Sequence, residues 1–159
     1  MTVSHPPPPK FQRILFCADF SENADFAFGF AIEQARHAPG CTLYLLHVVP
    51  EPEVQYWRTY VDEVDDVEQK GRRDMEEKIR ASYTARVPEG VRFEAEIRAG
   101  HEHEQILAFA EEKKVDLLIL GRQGRSSVGK VFFGNVTEKV VRKSRCAVLV
   151  IPLSFEAQA

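Results

Sequence analysis

The sequence has little cysteine, and nothing groups what there is. Cys17, Cys41 and Cys146 lie far apart in 159 residues, each in or beside an apolar run. No CxxC pair and no mixed Cys/His spacing occurs. That argues against zinc and against a disulfide framework, and buried, reduced thiols are expected. No apolar run reaches the length of a membrane-spanning helix. The N-terminus shows no signal-peptide core, so a cytoplasmic protein is expected. A net charge of −3 gives no electrostatic footprint for nucleic acid. No nucleophile elbow or Ser-His-Asp spacing stands out.

What is present is a chain that is 44% hydrophobic and of single-domain length, enough for a sizeable core. Residues 1–10 contain Pro6 to Pro9 in succession and read as an extended lead-in. A first strand is expected from Phe11 to Ala18. Asp19-Phe20-Ser21 follows, with Ser21 capping a helix to about His37. Its apolar face reads as Ala27, Phe30, Ala31 and Gln34–Ala35, with Phe26 alongside. Pro39-Gly40 ends it. A second strand, Cys41 to Val49, encloses His47, which reads as a packed, hydrogen-bonded residue.

Residues 51–87 are polar. Tyr56, Trp57 and Tyr60 in the first part either cover a site or pack back on the domain. From Asp66 a charged, solvated helix is expected. Val91, Phe93, Ala95 and Ile97 alternate with Arg92, Glu94, Glu96 and Arg98, the pattern of an edge strand with one wet face. A helix from Glu102 to Lys113 has Ile106, Leu107, Phe109 and Ala110 as its stripe. His101 and His103 at its start have no third ligand in view and read as solvated. The last strand runs from Cys146 to Pro152. Strands alternating with helices predict an α/β domain over residues 11–153, with a short tail at 154–159. Its sheet is doubly wound and parallel, five-stranded, in the order 3-2-1-4-5. The winding then reverses between strands 1 and 4, where ligands bind beyond the carboxyl ends.

The densest signal lies in residues 115–137. Leu117-Leu118-Ile119-Leu120 reads as a strand buried on both faces. Gly121, Gly124, Gly134 and Asn135 follow before the pattern turns helical. Glycines let a backbone approach a ligand, and the amides of a helix start attract an anion. Asn135 with Glu138 has the spacing of a capping box. The same turn also reads as a phosphate site made by the amides of Val136 and Thr137 and the Thr137 hydroxyl. Seven Lys/Arg residues stand against the single acid Glu138 between Gly121 and Arg145. Of these, Arg122, Arg125 and Lys130 bear on a ligand, and the rest complement a helix C-terminus. Gly124 to Val131 nearly spells a Walker P-loop. Val131 offers no hydroxyl to Mg²⁺, and the segment follows the fourth strand, so that reading is rejected.

These residues resemble the nucleotide-binding class of the universal stress protein family. The family's Gly-x2-Gly-x9-Gly-Ser/Thr signature stands here as Gly121, Gly124, Gly134 and Asn135. The resemblance also takes in Ala18 to Ser21, His47-Val48, Asn135 to Val140, and Ala147 to Ile151. It implies a Rossmann-like, adenine nucleotide alpha hydrolase-like fold and a homodimer formed through the last strand. It implies ATP at the switch point, with Mg²⁺ or Mn²⁺ accompanying the nucleotide. By position, Asp19 and the Val48 backbone would meet adenine and ribose, Cys17 and Ala18 would line the floor, and Leu120 would belong to the same cofactor site. Gly121, Arg122, Gln123, Gly124, Arg125, Ser126 and Ser127 would wrap ribose and phosphates. Gly134, Asn135, Val136 and Thr137 would hold phosphates. The function implied is ATP binding in a stress-response signalling module, with at most slow hydrolysis. A nucleotide-free dimeric adaptor and a slow ATPase are the alternatives. Asn135 departs from the family's hydroxyl residue. If it caps its own helix, one charged hydrogen bond is lost, at roughly 1.5–3 kcal/mol.

Overall fold

The computed structural model describes residues 4–7, 10–51, 64–122 and 134–153. Its strands are β1 (Arg13–Ala18), β2 (Thr42–Pro50), β3 (Arg92–Gly100), β4 (Leu117–Gly121) and β5 (Ala147–Ile151). Its helices are α1 (Glu22–Arg36), α2 (Val64–Ser82), α3 (Glu102–Glu112) and α4 (Asn135–Lys143), with a 3-10 turn at Thr84–Arg86 after α2. The strands are all parallel and form one sheet in the order β3-β2-β1-β4-β5, as expected. Element ends differ from the expected ones by a residue or two, the usual uncertainty of frayed termini.

Side-chain alternation along the strands builds two cores. Ile14, Phe16 and Ala18 of β1 join Leu43, Leu45, Leu117 and Ile119 on the face covered by α1 and α2. Leu15, Tyr44, Leu46, Val48, Leu118 and Leu120 form the other core with Ile106 and Phe109 of α3 and Val140 of α4. Each fully buried aliphatic or aromatic side chain contributes about 1.5–3 kcal/mol. Register between β1 and β4 is held at the strand starts. The Asp116 carboxylate accepts from the backbone of Gln12 at 2.8 Å and of Arg13 at 3.1 Å, and Asp116 N–H donates to Arg13 O at 2.9 Å.

Three expectations need correction. The buried stripe of α1 is Ala24, Ala27, Phe28, Ala31 and Ala35 together with Asn23. Phe28 is the fully buried aromatic of α1, its ring 4.9 Å from Phe16 and 5.1 Å from Tyr83, while Phe30 packs half-buried against the same core. Phe26 and Phe30 share the neighbouring face, edge-on at 5.5 Å, and Phe26 is exposed. On β3 the charged face is not wholly wet. Arg98 lies over the Phe109 ring at 5.0 Å and donates to Glu112 Oε2 at 2.6 Å and to Glu96 Oε1 at 3.3 Å. The thiols are reduced, but only Cys41 is fully buried; Cys17 and Cys146 are half-buried. Tyr56, Trp57 and Tyr60 lie outside the described residues, as do Lys130 and Val131 of the near-P-loop.

Candidate functional site

A cleft of about 480 Å³ opens at the carboxyl ends of the strands, where β1 and β4 part. That size falls in the range of small-molecule sites. Cys17, Ala18, Asp19, Val48, Leu120, Gly121, Gly134, Asn135, Val136 and Thr137 line it, all of them expected site residues. Arg122 is described but does not line the cleft. Gln123, Gly124, Arg125, Ser126 and Ser127 lie outside the described residues. Six lining residues were not foreseen: Ala24, Leu46, His47, Pro50, Glu102 and Ile106.

The β1–α1 turn forms one wall. Ser21 caps α1, its Oγ accepting from Ala24 N–H at 3.0 Å. Ser21 N–H in turn donates to Asp19 Oδ1 at 2.9 Å. Phe20 between them has φ +61°, a left-handed conformation that L-residues seldom adopt. His47 is buried, with Nδ1 2.7 Å from Ala18 O and its ring 4.6 Å from that of Phe20. The expectation of a packed, hydrogen-bonded histidine holds, and the same residue reaches the cleft.

The α4 turn forms the opposite wall, and here the structure corrects two readings. Gly134 is the N-cap and Asn135 the first helical residue, so no Asn135–Glu138 capping box forms. The first intrahelical bond runs from Glu138 N–H to Gly134 O at 2.9 Å. The amides of Asn135, Val136 and Thr137 therefore have no intrahelical carbonyl. The Asn135 side chain is exposed and not engaged in a cap. Thr137, by contrast, is buried, and its hydroxyl donates to Gly121 O at 2.9 Å. That proton is committed to the fold, so the Thr137 hydroxyl is not an open donor for phosphate.

Gly121 has a structural task as well. A Cβ there would lie 2.9 Å from Cγ of Asn23, closer than real Cβ contacts come. Asn23 is buried and donates to Ile151 O at 2.9 Å, joining α1 to the end of β5. Arg122 N–H donates to the same carbonyl at 2.9 Å, and Gly134 N–H donates to Arg122 O at 2.8 Å. The second bond ties the start of α4 to the residue just past β4.

The electrostatics are mixed. Cys17 at the floor has its thiol pKa pushed far up, first by burial and then by the charges of Asp19, Cys146 and Glu102. Asp19 and Glu102 place two carboxylates on the lining, against the open amides of α4. Glu102 carries no glycine or capping signal in the sequence, unlike the loops after the first and fourth strands. The signal was its position just beyond the Gly100 end of β3. Carboxylates accept from hydroxyl and amino groups, and helix-start amides donate to an anion. A ligand with a donor-rich end and an anionic end matches both.

A family model described as the universal stress protein family matches residues 10–152. Universal stress protein MJ0577 of Methanocaldococcus jannaschii is 29% identical over 155 residues, 89% of this chain and 94% of that protein. A universal stress protein of Thermus aquaticus is 34% identical over 143 residues, 89% of this chain and 98% of that one. The solved structure of MJ0577 superposes with a TM-score of 0.78 at 27% identity, over 91% of this chain and 97% of that one. A universal stress protein of Archaeoglobus fulgidus, solved in complex with dAMP, has the same fold. Its TM-score is 0.61 at 22% identity, over 90% of this chain and 99% of that one.

Proposed function

Because the chain belongs to the universal stress protein family, we propose that its cleft binds an adenine nucleotide, ATP, and that the protein acts as a stress-response binding and signalling module. The observation that supports this most is the start of α4. Its first residues, Gly134 to Thr137, line a cleft at the sheet's switch point and have amides with no intrahelical carbonyl, the place and chemistry that suit a phosphate chain. The dAMP complex of the Archaeoglobus fulgidus protein lies at an identity that supports a common fold only. The ligand assignment therefore rests on this chain's own cleft.

In this reading Asp19 and the Val48 backbone take the base and ribose. Gly134, Asn135 and Val136 take phosphates, joined by Gly121 to Ser127. Among the described residues no three metal-ligating side chains converge, so a divalent cation would be held chiefly by the nucleotide, neutralising phosphate charge. Hydrolysis is at most slow. A homodimer and a cytoplasmic setting belong to the same reading.

The experiment is to denature freshly purified protein, identify any released nucleotide by chromatography, and titrate the stripped protein with ATP and Mg²⁺ by calorimetry. Released ATP or ADP, or a clear isotherm, is expected. Asn135→Ala should weaken ATP about 10- to 100-fold, the cost of one hydrogen bond to a charged group, with the melting temperature little changed. No nucleotide and no heat would instead favour the nucleotide-free dimeric adaptor.

A further inference from the structure

We propose that Phe20, which does not line the cleft, is the positioning residue that fixes Asp19 at the cleft's nucleoside end. This rests on the adenine-nucleotide reading. Phe20 occupies a left-handed backbone position, φ +61°, that glycine would adopt without strain. A phenylalanine kept there must be held by its ring. The ring packs 4.6 Å from His47 and 5.7 Å from Tyr83, with Lys78 Nζ 4.8 Å from its centroid.

Both ring neighbours are anchored. His47 Nδ1 lies 2.7 Å from Ala18 O, and the Tyr83 hydroxyl donates to Asp25 Oδ1 of α1 at 2.6 Å. Phe20 is thus wedged between β2 and the end of α2, behind the wall that Ala18, Asp19 and His47 present to the cleft. The left-handed turn lets Ser21 N–H reach back to Asp19 Oδ1 at 2.9 Å. One carboxylate oxygen is thereby fixed by the backbone, and the other remains an acceptor for a ligand hydroxyl or amine. Strain at Phe20 is the local cost of holding a short acidic side chain in one orientation, a form of preorganisation.

The test uses the full chain and three probes: AMP, ATP and inorganic tripolyphosphate, each by calorimetry. In Phe20→Ala, AMP and ATP should each weaken about tenfold, as when one side chain must be ordered on binding. Tripolyphosphate, which has no base or ribose to meet Asp19, should bind as in the wild type. Phe20→Tyr keeps the ring and should restore wild-type affinities. Equal weakening of all three probes, or of none, overturns the proposal. A wild type that binds neither AMP nor ATP would sink the nucleotide reading instead. The positioning role is then decided by amide exchange at Ser21, measured by NMR. Faster exchange in Phe20→Ala, but not in Phe20→Tyr, supports it, and unchanged exchange overturns it.

Discussion

At the scale of single residues, the glycine signature divides its labour. Gly121 lines the cleft, yet its missing Cβ makes room for Asn23, whose amide holds the end of β5. Gly121→Ala should force Asn23 off Ile151 O and cost roughly 1–3 kcal/mol, a combination of overpacking and a broken buried hydrogen bond. Chemical denaturation measures this. In an Asn23→Ala background the same substitution should be nearly neutral, because the two effects share one contact. Additive losses would show that Gly121 serves some other purpose. Asn135 shows the reverse division. Sequence spacing makes it a helix cap, while the structure gives that place to Gly134 and leaves Asn135 exposed among the residues that line the cleft.

At the scale of elements, α3 is fastened to β3 by a charged latch. Glu112 has its carboxyl pKa lowered, chiefly by the hydrogen bond from Arg98. A carboxylate depressed in the folded state adds stability above its unfolded value and loses it as pH falls through its folded value. Stability should therefore decline in acid, below the ordinary carboxylate value of 4.5. Glu112→Gln should lower the melting temperature slightly at neutral pH, and its acid profile should converge on that of the wild type. Profiles that stay parallel into acid would contradict the latch. Glu112 is exposed, so solvent screening keeps the effect small. The α3–β3 contact also explains why the alternation in β3 read as one wet face. The pattern shows which side chains share a face, but not that a helix lies across it.

For the whole molecule, the two sheet edges differ. The β3 edge strand carries Arg92, Glu94, Glu96 and Arg98, charges that discourage strand pairing. On β5, Val148, Leu149 and Val150 are only half-buried, with Val141 and Leu153 exposed nearby in sequence. An apolar edge of that kind supports the proposed homodimer through the last strand. Sedimentation should report a dimer for the wild type and a folded monomer for Val148→Glu. A monomeric wild type at micromolar concentration would refute the assembly.

The sequence by itself determined the order of elements, the parallel sheet and its switch point. Those depend on local periodicity and on chirality rules that hold for any such chain. It also marked Gly121 and the Gly134–Asn135 turn, since glycine spacing and a helix start are local signals. Only the tertiary structure decided which helix face entered the core, which residue capped α4, and where the Thr137 proton went. It alone brought Glu102 and His47 into the cleft and set Phe20 behind Asp19. Those outcomes depend on contacts between segments distant in the chain, and a one-dimensional pattern does not record which atoms will be within 3 Å of one another.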